Sequence, residues 1–197
     1  YRSLLRGAHV MLDAEEREQE IVRQLVAHGA LEDKLDRHLV RTCANLVEWP
    51  SVVRGSFPKT MLELPAPVLA TSLKKHQKSF PAYDESGRIT AGFLSVANND
   101  LKDEPRIRGG YERVIVARLA DATFFWDEDR KKSLASRVDA LCAVTFHEKL
   151  GSYRDKTARI ETVAAYVCDV AGRSDLCATA VRAALLSRAD LTSAMVF

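Results

Sequence analysis

Five consecutive residues, Lys74-Lys75-His76-Gln77-Lys78, gather three cations and a histidine at one helix end, just ahead of Phe80-Pro81. Ammonium groups this close repel one another and are better tolerated beside a polyanion, so the run is a candidate phosphate or RNA contact. A purely structural role stands beside that reading, because cations at a helix C-terminus complement its dipole. A second basic run, Arg106-Ile107-Arg108-Gly109-Gly110-Tyr111-Glu112-Arg113, leads into a helix. Glycines ahead of a helix N-terminus leave N–H groups free to hold an anion, although the Gly-Lys-Ser/Thr ending of a P-loop is missing. A loop of ordinary solvated arginines fits the same residues.

Catalytic constellations are sparse. No G-x-S-x-G or H-E-x-x-H motif occurs, and Asp127-Glu128-Asp129 is followed at once by Arg130-Lys131-Lys132, the pattern of a solvated turn. The run Ala183-Ala184-Leu185-Leu186-Ser187-Arg188-Ala189-Asp190 has the shape of a helix in metal-dependent HD phosphohydrolases, but the His-Asp pair that should follow is absent. Asp190 and His147 alone are too few ligands for a divalent metal. Cys43, Cys142, Cys168 and Cys177 form no C-x-x-C pair and no zinc-finger spacing, and read as small buried hydrophobes in a reducing compartment.

The elements that must position these groups are those of a globular chain: 197 residues, 47% hydrophobic and 28% charged, with nine Gly and six Pro. The net charge of +2 excludes a whole-surface polycation, yet it is unevenly spread. Residues 1–50 carry 7 basic and 9 acidic groups, 51–118 carry 11 and 7, and 119–197 carry 11 of each, so the middle is the electropositive part. No apolar run approaches the roughly 18 residues of a membrane span, and no signal-peptide pattern opens the chain. The chain starts without Met and stops inside an apolar stretch, which reads as an internal piece of a longer protein.

Asp13 as a cap, an acidic first turn and Gly29 predict a helix over 13–28, and Leu31, Leu35, Leu39, Cys43 and Leu46 predict a second one. From Trp49-Pro50 short β-branched and aromatic runs predict strands, with Pro67 opening a helix through Lys78 and Glu85-Ser86-Gly87 turning a hairpin. Helical periodicity then runs from Glu112 to Leu150, Gly151 reads as a stop, and helices are expected over 155–171 and 177–196. The expected class is α+β: a helical lead-in (1–47), a mixed α/β central domain with a small sheet (48–130), and an all-α C-terminal part (131–197).

Ordered blocks make the chain recognisable: Glu48-Trp49-Pro50, Leu62-Glu63-Leu64-Pro65, His76-Gln77-Lys78 with Phe80-Pro81, and Phe93 to Asn98. Glu112-Arg113-Val114, Ala117-Arg118-Leu119, Phe124-Phe125, Phe146 to Gly151, Asp155-Lys156-Thr157 and Leu185-Leu186-Ser187 continue the series. The chain resembles the β subunit of bacterial heterotetrameric glycyl-tRNA synthetase over roughly residues 45–197. It departs from that family's pattern at Tyr111, Val116 and Ser79, where Asn, Arg and an aromatic are usual. The resemblance implies a cytoplasmic α2β2 assembly in which the α subunit holds ATP, Mg²⁺ and glycine while the β subunit grips tRNA(Gly). This segment would then bind no cofactor and hold no catalytic centre, and 131–197 would be a degenerate, truncated HD-like part. Phosphate contacts would fall to Lys74, Lys75, Lys78, Arg106, Arg108, Arg113 and Arg118, with Lys156 on the HD-like part. Phe80 and Tyr111 are candidates to stack on unpaired bases, with a core or surface role as the alternative, and Arg118 to pair with Asp121. The rival readings are an independent HD-type nucleotide phosphohydrolase and an interaction module that contacts only the α subunit.

Overall fold

A computed structural model describes residues 1–196. The protein combines helices with small antiparallel sheets and separates into two compact units, Tyr1–Thr123 and Phe124–Phe197.

In the first unit, α1 (Arg2–Gly7) precedes α2 (Ala14–Ala27). The Asp13 carboxylate caps α2 by accepting from the Glu15 and Glu16 N–H groups at 2.9 and 3.2 Å, and Gly29 ends the segment at φ 87°. Helix α3 covers Arg37–Leu46 and starts later than the leucine spacing predicts. Asp36 accepts from the Leu39 N–H (3.1 Å) and so fixes the start, leaving Glu32–Lys34 as a single 3₁₀ turn and Leu46 exposed.

Strands β1 (Pro50–Ser56), β2 (Phe80–Tyr83) and β3 (Ile89–Asn98) form an antiparallel sheet in the order β1-β3-β2, with Val52 opposite Val96 and Phe80 opposite Leu94. Residues 1–47 are the helical lead-in expected from sequence. In the structure Ile21, Leu25, Leu39 and Val40 share one core with Val52, Phe80 and Leu94, because the small sheet has a face that only a helical layer can cover. Between β1 and β2, α4 (Ala66–Thr71), with Pro67 in its first turn, widens into a π-turn over Ser72–His76.

The outer edge of β1 is closed by side chains. The Gln24 amide accepts from Val52 N–H (2.7 Å) and donates to the Pro50 carbonyl (3.0 Å), and the Glu112 carboxylate accepts from Ser56 N–H (2.9 Å). An open edge would template pairing with another chain, so this amide both stabilises and protects the strand. Gln24→Leu keeps the volume and leaves one N–H and one C=O unpaired, which should cost about 1–3 kcal/mol in urea unfolding followed by Trp49 fluorescence. A change within about 0.5 kcal/mol would mean that water replaces the amide at no cost.

Helix α5 spans Glu104–Arg130, its residues through Thr123 belonging to the first unit. Helical periodicity continues to Leu150 in the sequence, but α5 stops at Arg130, and 3₁₀ turns cover Ala135–Arg137 and Asp139–Ala143. The C-terminal part is not all-helical. Strand β4 (Thr145–His147) pairs with β5 (Gly151–Ser152) because Phe146 packs edge-on to Tyr153 (5.4 Å) and Gly151 takes φ 84°. A side chain at Gly151 would also meet the Asp155 carboxyl carbon at 3.1 Å.

Ser152 and Asp155 form a capping box that opens α6 (Tyr153–Val170). Helix α7 covers Ser174–Leu186, shorter than expected, and a 3₁₀ turn over Ala189–Thr192 follows it. The Asp129 carboxylate holds this end in place. It pairs with Arg137 (2.8 Å) and accepts from the Ala194 and Met195 N–H groups, both at 2.9 Å.

Candidate nucleic-acid interface

The lysine run folds as the π-turn that ends α4, with Lys78 beyond it in the left-handed region (φ 52°). A helix commonly ends on glycine in this conformation, and a lysine there carries backbone strain of about 1–3 kcal/mol. The turn is closed by Ser79 N–H donating to the Leu73 carbonyl (3.0 Å), and the Ser79 and Ser95 hydroxyls meet at 2.6 Å inside the unit. Lys74, Lys75 and Lys78 thereby line one wall of a groove of ≈ 340 Å³, and His38 and Thr42 of α3 line the other.

The three lysines are not equivalent. Lys74 reaches Asp36 at 3.4 Å. The Leu39 N–H and, against partial burial, the Lys74 ammonium hold the Asp36 carboxyl below the usual carboxylate range. Lys75 and Lys78 are exposed, and among the described residues neither pairs with a carboxylate. The Lys78 ammonium donates to the Lys75 carbonyl (2.9 Å).

The second basic run is placed differently from the sequence expectation. Gly109 and Gly110 lie inside α5 and not ahead of it, so their N–H groups belong to the helix and offer no anion cradle. The start is set upstream, where Asp103 accepts from Arg106 N–H (3.3 Å) and Pro105 occupies the first turn. At about 100° per residue, Arg106, Gly110 and Arg113 fall along one face, the two arginines roughly 10 Å apart. Arg108 and Arg118 point elsewhere. Arg108 pairs with Glu104 at 3.1 Å and Arg118 with Asp121 at 3.9 Å, both exposed pairs of small energetic weight. Arg106 and Arg113 are exposed and have no carboxylate partner among the described residues. Among the described residues a Cβ at Gly109 or Gly110 would meet nothing within 4 Å, so packing there does not require either glycine.

Both basic segments reach the same stretch of β3. The Tyr111 hydroxyl donates to the Val96 carbonyl (3.2 Å), next to the Ser95 that holds Ser79. Cys43 stands between them, its thiol donating to the Lys78 carbonyl at 3.6 Å. Burial pushes that thiol up to about 11, against the pull of the Lys78 ammonium. Burial, with Cys43 nearby, also raises the Tyr111 phenol.

Two stacking candidates change status. Phe80 is 2% exposed and belongs to the core, so no base can reach it. Tyr111 is half-buried with its hydroxyl committed to β3. Lys156 lies in the second unit, its ammonium 3.8 Å above the Phe146 ring and 5.6 Å from that of Tyr153, a cation–π perch. His38 and Thr42, which complete the groove, carry no local sequence signal; only the packing of α3 beside the π-turn assembles them.

No helix of the described residues is long and apolar enough to cross a membrane, and among them no three His, Cys, Asp or Glu side chains are grouped to hold a metal ion. What the geometry presents is two sets of exposed cations, Lys75 with Lys78 and Arg106 with Arg113, carried by a helix-covered sheet and the helix beside it.

The family model described as "Glycyl-tRNA synthetase beta subunit" matches residues 1–197. Curated relatives carry the name "Glycine--tRNA ligase beta subunit". The one from Myxococcus xanthus (strain DK1622) is 41% identical over 202 residues, that from Streptococcus equi subsp. zooepidemicus (strain H70) 40% over 200, and that from Chromohalobacter salexigens 38% over 200. Each alignment covers 100% of this chain but only 28%, 30% and 29% of the relative. The chain belongs to the glycyl-tRNA synthetase beta-subunit family and spans less than a third of the length of these relatives.

Proposed function

We propose that this segment grips tRNA(Gly) for a glycine–tRNA ligase and helps to present its 3′ end to a glycine-activating α subunit. Its contribution to the reaction is orientation, which lowers a barrier without supplying an acid or base. ATP and Mg²⁺ act at the α subunit in this reading, within a cytoplasmic α2β2 assembly. Residues 131–197 serve as a degenerate HD-like part, with Lys156 as a secondary phosphate contact.

The observation that carries the reading is the sorting of cations. Lys75, Lys78, Arg106 and Arg113 are exposed and unpaired among the described residues, whereas Lys74, Arg108 and Arg118 have carboxylate partners. Two local rules are broken on the unpaired set: a lysine holds a left-handed position, and two glycines sit inside a continuous helix where nothing among the described residues crowds them. Such inconsistencies concentrate at functional sites, and a glycine between two arginines lets a phosphate backbone approach the helix closely.

Gly110→Ala separates this reading from a merely structural one. In an uncrowded helix interior the change should stabilise the chain by roughly 1 kcal/mol. In the full-length β subunit bound to α, the same change should weaken tRNA(Gly) binding several-fold, as read by fluorescence anisotropy. Higher stability with unchanged affinity would remove this helix face from the interface and leave the reading as an α-subunit contact module ahead.

A further inference from the structure

The groove between α3 and the π-turn is graded from its inside to its rim. Its least exposed lining residues include the apolar Leu39, 5% exposed, and the half-buried Ala70 of α4. Further out stands one ion pair, Lys74 with Asp36, their side chains 28% and 35% exposed. Lys75 and Lys78 occupy the rim, exposed and without a carboxylate partner among the described residues. The ion pair keeps spare hydrogen-bonding capacity. One Asp36 oxygen accepts from the Leu39 N–H (3.1 Å), and the other faces the Lys74 ammonium at 3.4 Å. A carboxylate offers about four lone-pair sites and an ammonium three N–H groups, so an acceptor and donors remain free side by side. The Asp36 carboxyl is held below the usual range and therefore acts as an acceptor only.

We infer, as a step that rests on the tRNA-binding role proposed above, that this groove is a slot for one unpaired nucleotide of the RNA. The base lies against Leu39 and Ala70, its polar edge meets the Asp36–Lys74 pair, and its phosphates reach Lys75 and Lys78. An unpaired nucleotide presents a flat ring, an edge of neighbouring donors and acceptors, and an anionic phosphate, and the groove offers a surface to each. Its volume of ≈ 340 Å³ is at the small end of ligand pockets, which run from about 300 to 1,000 Å³. His38 and Thr42, one turn apart on α3, close the side opposite the lysines. A duplex backbone would use the rim lysines alone and leave the apolar lining and the ion pair without a role.

Competition against labelled tRNA(Gly), on the full-length β subunit in complex with α, tests the slot. A short single-stranded RNA of mixed sequence should displace the tRNA at about one-tenth the concentration needed of the same strand annealed to its complement, although the duplex carries twice the phosphates. Thr42→Leu fills the slot and alters no charge; it should erase this preference and weaken tRNA binding several-fold with the salt slope unchanged. Asp36→Asn gives a second, opposite reading. Asparagine caps a helix as well as aspartate does, and with its oxygen on the Leu39 N–H it turns a donor toward the base where the carboxylate offered an acceptor. The same change frees Lys74 from its counter-charge, so a purely electrostatic surface would gain affinity for tRNA while the slot loses it. Equal competition by single strand and duplex in the wild type, which depends on no variant, would overturn the slot and leave the tRNA-binding role standing. So would tighter tRNA binding by Asp36→Asn. Unchanged tRNA binding on combining Lys75→Ala with Lys78→Gly would overturn both.

Discussion

Changing Lys75 to Ala and Lys78 to Gly together is expected to weaken tRNA(Gly) binding on the order of 50-fold near 0.1 M salt and to flatten its salt dependence. Each ammonium that meets a phosphate releases about 0.7–0.9 of a counterion, so losing two should make the slope of log K against log salt shallower by roughly 1.4–1.8. The choice of glycine at position 78 matters. Lys78 occupies a left-handed conformation at φ 52°, and relieving it should stabilise the chain by about 1 kcal/mol or more. A structural account of the lysine run predicts loss of stability on removing cations from a helix C-terminus. The interface account predicts the opposite pairing, a sturdier protein that binds RNA less well. Lys74→Ala should do less to binding, because its ammonium already faces Asp36 at 3.4 Å. Anisotropy titrations at three or four salt concentrations, with the full-length β subunit in complex with α, supply both the slope and the affinity.

The second large effect lies in the other unit, at Asp129. Its side chain is 15% exposed and that of Arg137 11%, and the carboxylate also accepts from the Ala194 and Met195 N–H groups. Asp129→Asn leaves the guanidinium without a counter-charge in a largely dry site, which should cost about 3 kcal/mol, the low end for breaking a buried pair. Burial pushes this carboxyl upward, but the two N–H groups and Arg137 outweigh it and hold the group below the usual carboxylate range. Because the folded state lowers the pKa, the stabilisation is complete above the unfolded value near 3.9 and disappears as pH falls through the lower folded value. The gap between wild type and Asp129→Asn should therefore be constant from about pH 5 to 7 and close below about pH 4. Hydrogen exchange at the Ala194 and Met195 amides locates the effect; slow exchange at both in the variant would show that the carboxylate is not what holds them.

How much of this was legible depends on how local each signal is. Asp13, Gly29 and the turn Glu85-Ser86-Gly87 act within a few residues of themselves, and the α2 start, its end and the β2–β3 hairpin stand where they point. The start of α5 was equally legible, since Asp103-Glu104-Pro105 is a capping residue followed by first-turn residues, but Gly109-Gly110 is the louder signal and moved the expected boundary. The β4–β5 hairpin was hidden because Val138, Leu141 and Val144 keep a helical spacing, while the Phe146–Tyr153 contact that overrides it joins residues outside any periodic window. The candidate site divides in the same way. Clusters of cations can be read off the chain, whereas their partners cannot: Asp36 meets Lys74 across 38 residues, and His38 and Thr42 enter the groove only through tertiary packing. Phe80 shows the converse, a residue whose aromatic ring suggested stacking and whose 2% exposure places it in the core.

The central claim is that the unpaired cations hold tRNA and take no part in activating glycine. Steady-state aminoacylation and glycine-dependent ATP–pyrophosphate exchange, both run on the α complex with full-length β carrying Lys75→Ala and Lys78→Gly, separate these two steps. The expected result is a KM for tRNA(Gly) raised at least ten-fold, with exchange at the wild-type rate. An unchanged KM, or exchange falling in parallel with aminoacylation, would contradict it.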